Sequence, residues 1–295
     1  MTTPTANFRG GGWNGVSGKR VILTGGTSGI GLAAARQLVR LGAQLSIVAR
    51  SRARAEAVTP SFGAPVDVLL ADLASQQSVR HLADEILQRY PQVHVLINNA
   101  GAMFSTHQLS PDGIELTWAV NHLAPFLLTN LLLQRIIESA PARIITTASG
   151  AHFRAQIPFD DMNAERSYRN MGYQRYGETK LANILFTSEL ARRIEGSGVT
   201  ANSFHPGFVA TAFGENNGPL MSIGMRVSHL FARKPDQGAD TLVWLADSPD
   251  VSGISGAYFV DRHEVRPSHA ARDAETAAHL WQVSEEQVRR PITSA

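Results

Sequence analysis

Two side chains four positions apart, Tyr176 and Lys180 in the run Tyr173-Gln174-Arg175-Tyr176-Gly177-Glu178-Thr179-Lys180, are the strongest candidates for chemistry. On a helix that spacing puts both on one face, an ammonium beside a phenol. A phenol with an ordinary pKa of about 10 exchanges protons poorly at neutral pH. Moving it by about three units takes about 4 kcal/mol of differential stabilisation, which a neighbouring cation can help to supply. The same spacing also arises by chance on surface helices, so the pair alone leaves a structural role open. Tyr173 has no lysine four positions on and is expected to line a pocket or to pack.

A second kind of chemistry is suggested by Thr24-Gly25-Gly26-Thr27-Ser28-Gly29-Ile30-Gly31. A β-branched run precedes it and the helix-forming Leu32-Ala33-Ala34-Ala35-Arg36-Gln37-Leu38 follows. In such a strand, turn and helix, free backbone amides and the positive helix end can meet a pyrophosphate, from which any Cβ would hold the backbone away. Gly25, Thr27, Ser28, Gly29, Ile30 and Gly31 are therefore candidate dinucleotide contacts, and Gly31 would also permit close helix–strand packing.

The next β-branched run ends Ile47-Val48-Ala49-Arg50, without the carboxylate that would grip an adenosine 2′-hydroxyl. Arg50, with Arg52 or Arg54, suits a 2′-phosphate instead, so NADP(H) is expected over NAD(H). An ordinary solvated helix start would look the same. Asp72, followed by Leu73, is placed to contact adenine or to cap the next helix.

These groups need a scaffold. Strands are expected at Arg20–Thr24, Gln44–Ala49, Val66–Leu70, Val95–Asn98, Arg143–Thr147, Thr200–His205 and Ala257–Val260, with helical segments after nearly every one. That alternation predicts a single-domain α/β fold: a doubly wound, seven-stranded parallel sheet with helices on both faces and a ligand crevice at the carboxyl ends of the strands. The stretches 150–171 and 206–234 interrupt the alternation on the crevice side and read as lids, binding elements or surface packing. Residues 1–18 read as a loose arm, and 273–290 as a C-terminal helix.

Composition excludes several functions. Apolar residues are 43% and charged residues 18% of the 295, and 27 Lys and Arg stand against 25 Asp and Glu, so the basic excess of a nucleic-acid binder is missing. With no cysteine, disulfides, thiol catalysis and cysteine-bearing metal sites are out, and the ten histidines show no metal-ligand spacing. Leu123–Ile137 is interrupted by Pro125, Thr129, Asn130, Gln134 and Arg135 and reads as a packing helix rather than a membrane span. The N-terminus has no apolar run fit for a leader, so a cytoplasmic protein is expected.

Taken in order, the glycine turn, Asn98-Asn99-Ala100-Gly101, Asn121, Ser149, Tyr176-x-x-x-Lys180 and His205-Pro206-Gly207 resemble the short-chain dehydrogenase/reductase family from Lys19 to the C-terminal helix. The resemblance implies a Rossmann fold and hydride transfer between NAD(P) and a carbonyl or alcohol, with Tyr176 exchanging the proton. It further implies that Ser149 hydrogen-bonds the substrate oxygen, that Lys180 holds the nicotinamide ribose and lowers the tyrosine pKa, and that Asn121 anchors a water leading to Lys180. Hydroxyl donors around a developing alkoxide fit that chemistry. Asn99, Ala100, Gly101, Pro206, Gly207, Val209 and Thr211 are the remaining implied cofactor contacts.

Ser149 and Tyr176 are 27 positions apart, an unusually long interval, and the insert holds Ala151-His152 and Phe159-Asp160-Asp161-Met162-Asn163. This resembles the retinol dehydrogenase, WW-domain oxidoreductase and protochlorophyllide reductase-like branch. Met103, Phe104, Phe153, Ile157, Phe159, Phe208, Phe213, Leu220, Met221, Ile223 and Met225 could enclose a lipophilic ketone, aldehyde or alcohol, or partly pack against the sheet. Competing functions are an epimerase, dehydratase or cyclase without net redox, and a non-catalytic NADPH-binding regulator. Apolar faces within 116–138 and 172–193 suit a homodimer or homotetramer, or burial within the chain.

Overall fold

Parallel neighbours require long crossovers, which the helical segments between strands supply. The computed structural model describes residues 12–207 and 234–289. Its strands are β1 Arg20–Thr24, β2 Gln44–Ala49, β3 Asp67–Leu70, β4 Val95–Asn98, β5 Ala142–Thr147, β6 Val199–His205, β7 Tyr258–Val260 and β8 His263–Glu264. They form one sheet in the order β3-β2-β1-β4-β5-β6-β7-β8, parallel from β3 through β7. The order reverses between β1 and β4, which opens a crevice at their carboxyl ends.

The helices among the described residues are α1 Gly29–Arg40, α2 Arg52–Val58, α3 Gln76–Arg89, α4 Leu116–Trp118, α5 Ala124–Glu138, α6 Tyr173–Arg193, α7 Pro235–Asp247 and α8 Ala274–Arg289. Successive strand residues point to opposite faces, and both faces are buried. Ile22, Val48, Leu69, Leu96 and Ile144 belong to the core formed with α3, α5, α6 and α8. Val21, Leu23, Leu45, Ile47, Val95 and Ile145 belong to the core formed with α1 and α7.

The fold departs from the sequence reading in two places. An eighth strand, antiparallel to β7, adds an edge. It follows a two-residue reversal at Asp261 and Arg262, both with positive φ (51° and 63°). Arg262 N donates to Thr241 Oγ1 at 3.2 Å, and its guanidinium pairs with Asp240. That turn is of a kind usually marked by Asn-Gly or a similar pair, which Asp-Arg does not announce.

Second, the described part of the expected N-terminal arm is docked. Val16 is fully buried, and Trp13 donates from Nε1 to Asp247 O at 3.0 Å beneath the Arg143 guanidinium. Of the two uses left open for the apolar faces of α5 and α6, burial within the chain is met in part by α8. The Trp281 ring lies 4.9 Å from Phe126 and 5.8 Å from Phe186 between centroids. Leu116–Glu138, the one described stretch long and apolar enough to cross a membrane, is largely buried in this packing.

Candidate active site

The turn between β1 and α1 lines a cleft of about 320 Å³ at the point where the strand order reverses. Gly25, Thr27, Ser28, Gly29, Ile30 and Gly31 form one wall, and Asn99, Ala100 and Gly101 after β4 form another. Asp72 and Leu73 follow β3, while Arg50 and Arg54 bring guanidinium groups to the rim after β2. Arg52 does not line the cleft and lies 4.0 Å from Glu56. The N-cap of α1, Ser28, makes no side-chain cap bond, which leaves the first amides of the helix as donors. Helix-end amides facing exposed arginines suit a dinucleotide diphosphate.

Two glycines are required here by the protein's own packing. A Cβ on Gly25, whose φ is +73°, would meet Ala100 Cα at 2.9 Å, and one on Gly31 would meet Gly25 O at 2.0 Å. The sequence reading assigned the glycines first to close approach of a phosphate, but at these two positions β1, α1 and the turn after β4 already exclude a side chain. Thr24 fastens that junction. Its hydroxyl accepts from the amides of Asn99 and Ala100, both at 3.0 Å, and Asn99 Nδ2 donates to Thr24 O at 3.0 Å. Asn98 instead points inward, to Thr129 Oγ1 at 2.9 Å.

Beyond the glycine turn, β5 and α6 bring Ser149, Tyr176 and Lys180 together. The Ser149 side chain lies within interaction reach of the Tyr176 hydroxyl and favours its ionised form. Lys180 is buried, with Nζ 5.5 Å from the centre of the Tyr176 ring and donating to Thr147 O at 3.0 Å. A Cβ on Gly101 would sit 3.4 Å from Lys180 Nζ, so the dinucleotide cleft runs directly into this cluster.

Asn121 lies in a π-helical turn, Ala119–Leu123, a local widening common at functional sites. Its Oδ1 accepts from Ala102 N at 2.8 Å, while Nδ2 donates to Ala102 O at 2.8 Å and Thr179 Oγ1 at 3.1 Å. Thr179 in turn donates to Tyr176 O at 2.7 Å. The Asn121 amide therefore ties the segment after β4 to α6.

Burial dominates the electrostatics. Lys180 is brought down to about 8 by desolvation. Tyr176 is pushed up to about 12, first by desolvation and against the opposing effect of Ser149. The lowered tyrosine pKa implied by the family resemblance is thus not a property of the protein groups alone. A desolvated phenol resists ionisation until positive charge arrives beside it.

Several supporting residues escaped the sequence reading. Thr147 offers its carbonyl to Lys180, and Asn183 Nδ2 donates to the same oxygen at 3.2 Å. Asn183 is three residues beyond Lys180, a spacing that could have flagged it. Arg175, buried next to Tyr176, donates to Glu115 at 2.8 Å and Glu178 at 3.1 Å and covers the Trp118 ring. Glu115 also caps α4 by accepting from Thr117 N and Trp118 N, so one carboxylate joins the helices that carry Asn121 and Tyr176.

Other expectations are revised. Asp72 does not cap α3: Ser75 does, while Asp72 Oδ1 accepts from Ala74 N. The segment 150–171 is pinned through Asn163, whose carbonyls contact His107 Nε2 and Glu115 N at 2.8 and 3.1 Å. Ile157 and Phe159 pack against the core, with Phe159 stacked on His279, whereas Phe104 lines the cleft and Phe153 and Tyr173 are exposed. Pro206 and Gly207 follow β6, Gly207 with φ +81°. Val209 and Thr211, with Phe208, Phe213, Leu220, Met221, Ile223 and Met225, lie outside the described residues.

A family model described as short chain dehydrogenase matches residues 19–220. Retinol dehydrogenase 14 of Mus musculus is 44% identical over 92% of this chain and 86% of its own length. A Streptomyces protein assigned by name to daunorubicin C-13 ketoreduction is 40% identical, covering 96% of this chain and 97% of itself. A short chain dehydrogenase from Burkholderia cenocepacia in complex with NADP superposes with a TM-score of 0.66 at 26% identity, over 88% of this chain and all of that one. Retinol dehydrogenases 11, 12 and 13 match as well, and with them the expected cytoplasmic location falls. An N-terminus unlike a leader is no ground for placing the chain in the cytoplasm.

Proposed function

The chain belongs to the short chain dehydrogenase family, in its retinol dehydrogenase-like branch, and from that premise we propose an NADP(H)-dependent oxidoreductase acting on a lipophilic carbonyl or alcohol, with Tyr176 as general acid and base. The observation that carries this reading is the placement of Ser149 within reach of the Tyr176 hydroxyl, beside the buried Lys180 and at the end of the glycine-lined cleft. A nicotinamide dinucleotide held by the turn from Gly25 to Gly31 and by Asn99, Ala100 and Gly101 would supply or accept the hydride.

The chain's own groups handle the rest. In reduction, Tyr176 gives its proton to the substrate oxygen as negative charge builds there, and the Ser149 hydroxyl donates to the same oxygen. The protonated phenol is ready for that role, because burial keeps it neutral across physiological pH. In oxidation Tyr176 must take a proton and so must start as the phenolate, which the Lys180 ammonium steadies. Asn121 holds the segment after β4 against α6, so the cofactor wall and the acid keep their spacing.

Arg50 and Arg54 at the rim support NADP(H), since guanidinium groups pair well with a 2′-phosphate, as does the NADP held by the Burkholderia relative. Catalysis is assigned to one unit, 19–295. The exposed Phe153, Met171 and Tyr173, together with relatives named for retinol and for a polycyclic ketone, support a lipophilic substrate. Purified chain would be screened with all-trans-retinal, daunorubicin and small keto acids against NADPH and NADH. Alcohol formed from a lipophilic compound in step with NADPH loss, at least about tenfold faster than with NADH, is expected. Turnover confined to charged keto acids, or conversion without net NADPH loss, contradicts it.

A further inference from the structure

His152 starts three residues after Ser149 and ends against a distant part of the chain. Its imidazole is fully buried. Nδ1 is 2.7 Å from the Ser149 carbonyl oxygen, and Nε2 is 3.2 Å from the backbone amide of Ser268, in the segment after β8. A carbonyl can only accept and an amide N–H can only donate, so these partners select one form of the ring: neutral, with the proton on Nδ1. Rings of Phe153 and Tyr258 enclose it, 4.2 and 5.2 Å away between centroids.

The turn it stabilises is the one that carries Ser149. Ser149 is extended (φ −161°, ψ 154°), and its Oγ accepts from Ala151 N at 3.2 Å as the chain enters the short 3-10 turn Gly150–Arg154. The Ser149 carbonyl also accepts from His152 N at 3.2 Å. Both donors to that carbonyl therefore come from His152. On the far side, Ser268 Oγ accepts from Ala271 N, which closes the turn Ala270–Arg272 ahead of α8. One imidazole thus spans two turns that are more than a hundred residues apart in sequence.

We propose that His152 is a positioning residue for Ser149: its Nδ1–H fixes the serine carbonyl, and its Nε2 makes that placement depend on the segment between β8 and α8. The proposal rests on Ser149 donating to the substrate oxygen, as stated under Proposed function. His152 touches neither substrate nor cofactor. It sets the direction of the Ser149 hydroxyl, and with it the geometry shared with Tyr176.

The test measures kcat, KM and NADPH affinity for the full chain and for Ser149→Ala, His152→Phe and His152→Asn, using the carbonyl compound turned over fastest in the screen above. His152→Phe removes both hydrogen bonds, whereas His152→Asn keeps an amide N–H near the Nδ1 position. Expected are a loss of roughly 10- to 100-fold in kcat for His152→Phe with NADPH affinity within about twofold, and recovery to within about threefold in His152→Asn.

An inactive Ser149→Ala alongside a fully active His152→Phe overturns this inference and leaves the proposed function standing. A fully active Ser149→Ala removes the proposed function and this inference together. Equal losses in the Phe and Asn variants also overturn it. Should His152→Phe fail to fold, nitrogen-15 NMR of the unmodified chain decides: a proton on Nδ1 and a bare Nε2 at pH 7 are expected, and a proton on Nε2 overturns the proposal.

Discussion

The dinucleotide cleft and the Tyr176 cluster lie side by side but are built by different means. The cleft wall is largely backbone: helix-end amides, glycines that leave no room for a Cβ, and one threonine that fastens β1 to the turn after β4. Its charged groups, Arg50, Arg54 and Asp72, are exposed. The Tyr176 cluster sets the half-buried Ser149 and Tyr176 against buried side chains, among them Lys180, Asn121, Asn183, Arg175 and Glu115. Changes at the cleft rim should therefore shift affinity by modest steps, while changes behind α6 should weaken the fold and the chemistry together.

The largest effect is expected behind the helix. Replacing Glu115 with Ala leaves the buried Arg175 guanidinium without one carboxylate and uncaps α4, and should cost about 3–5 kcal/mol in denaturant unfolding. A loss below about 1 kcal/mol would mean that the two regions are supported alike. At the cleft rim, Arg50→Asp should weaken NADPH binding by roughly 10- to 100-fold while NADH changes little, as read by calorimetry. Arg52→Asp, directed away from the cleft, should leave the ratio within about twofold.

A smaller effect, in pH, separates the two regions further. Lys180 loses its proton at about 8, so its charge is present below that pH and lost above it. The reduction rate at saturating NADPH should therefore fall as pH rises through about 8, and Lys180→Met should remove that limb. NADPH affinity, set at the exposed rim, should lack that inflection.

Legibility followed the same division. The ends of β1, β2 and β4 are as the sequence predicts, because parallel strands buried on both faces read as unbroken apolar runs between turn residues. Tyr176, Lys180 and the glycine turn were legible as local patterns of fixed spacing, and Ser149 only through its place in the order of motifs that carries the family resemblance. The bonds that hold them were not. Glu115 to Arg175 and His152 to Ser268 join residues 60 and 116 positions apart, and nothing local in either partner announces the other. The edge strand β8 was missed because its turn lacks glycine, and the docking of Trp13 because its partner, Asp247, lies in α7. The rise of Tyr176 to about 12 was hidden for a related reason: sequence shows the lysine four residues away but not the cover that desolvates both groups.

The decisive measurement is single-turnover reduction by Tyr176→Phe preloaded with NADPH, since only one hydroxyl is removed. The hydride-transfer rate should fall by at least about 100-fold while NADPH binds within about threefold of the unmodified chain. A rate within a few-fold of the original would show that the proton comes from another group, and the assignment of Tyr176 would be wrong.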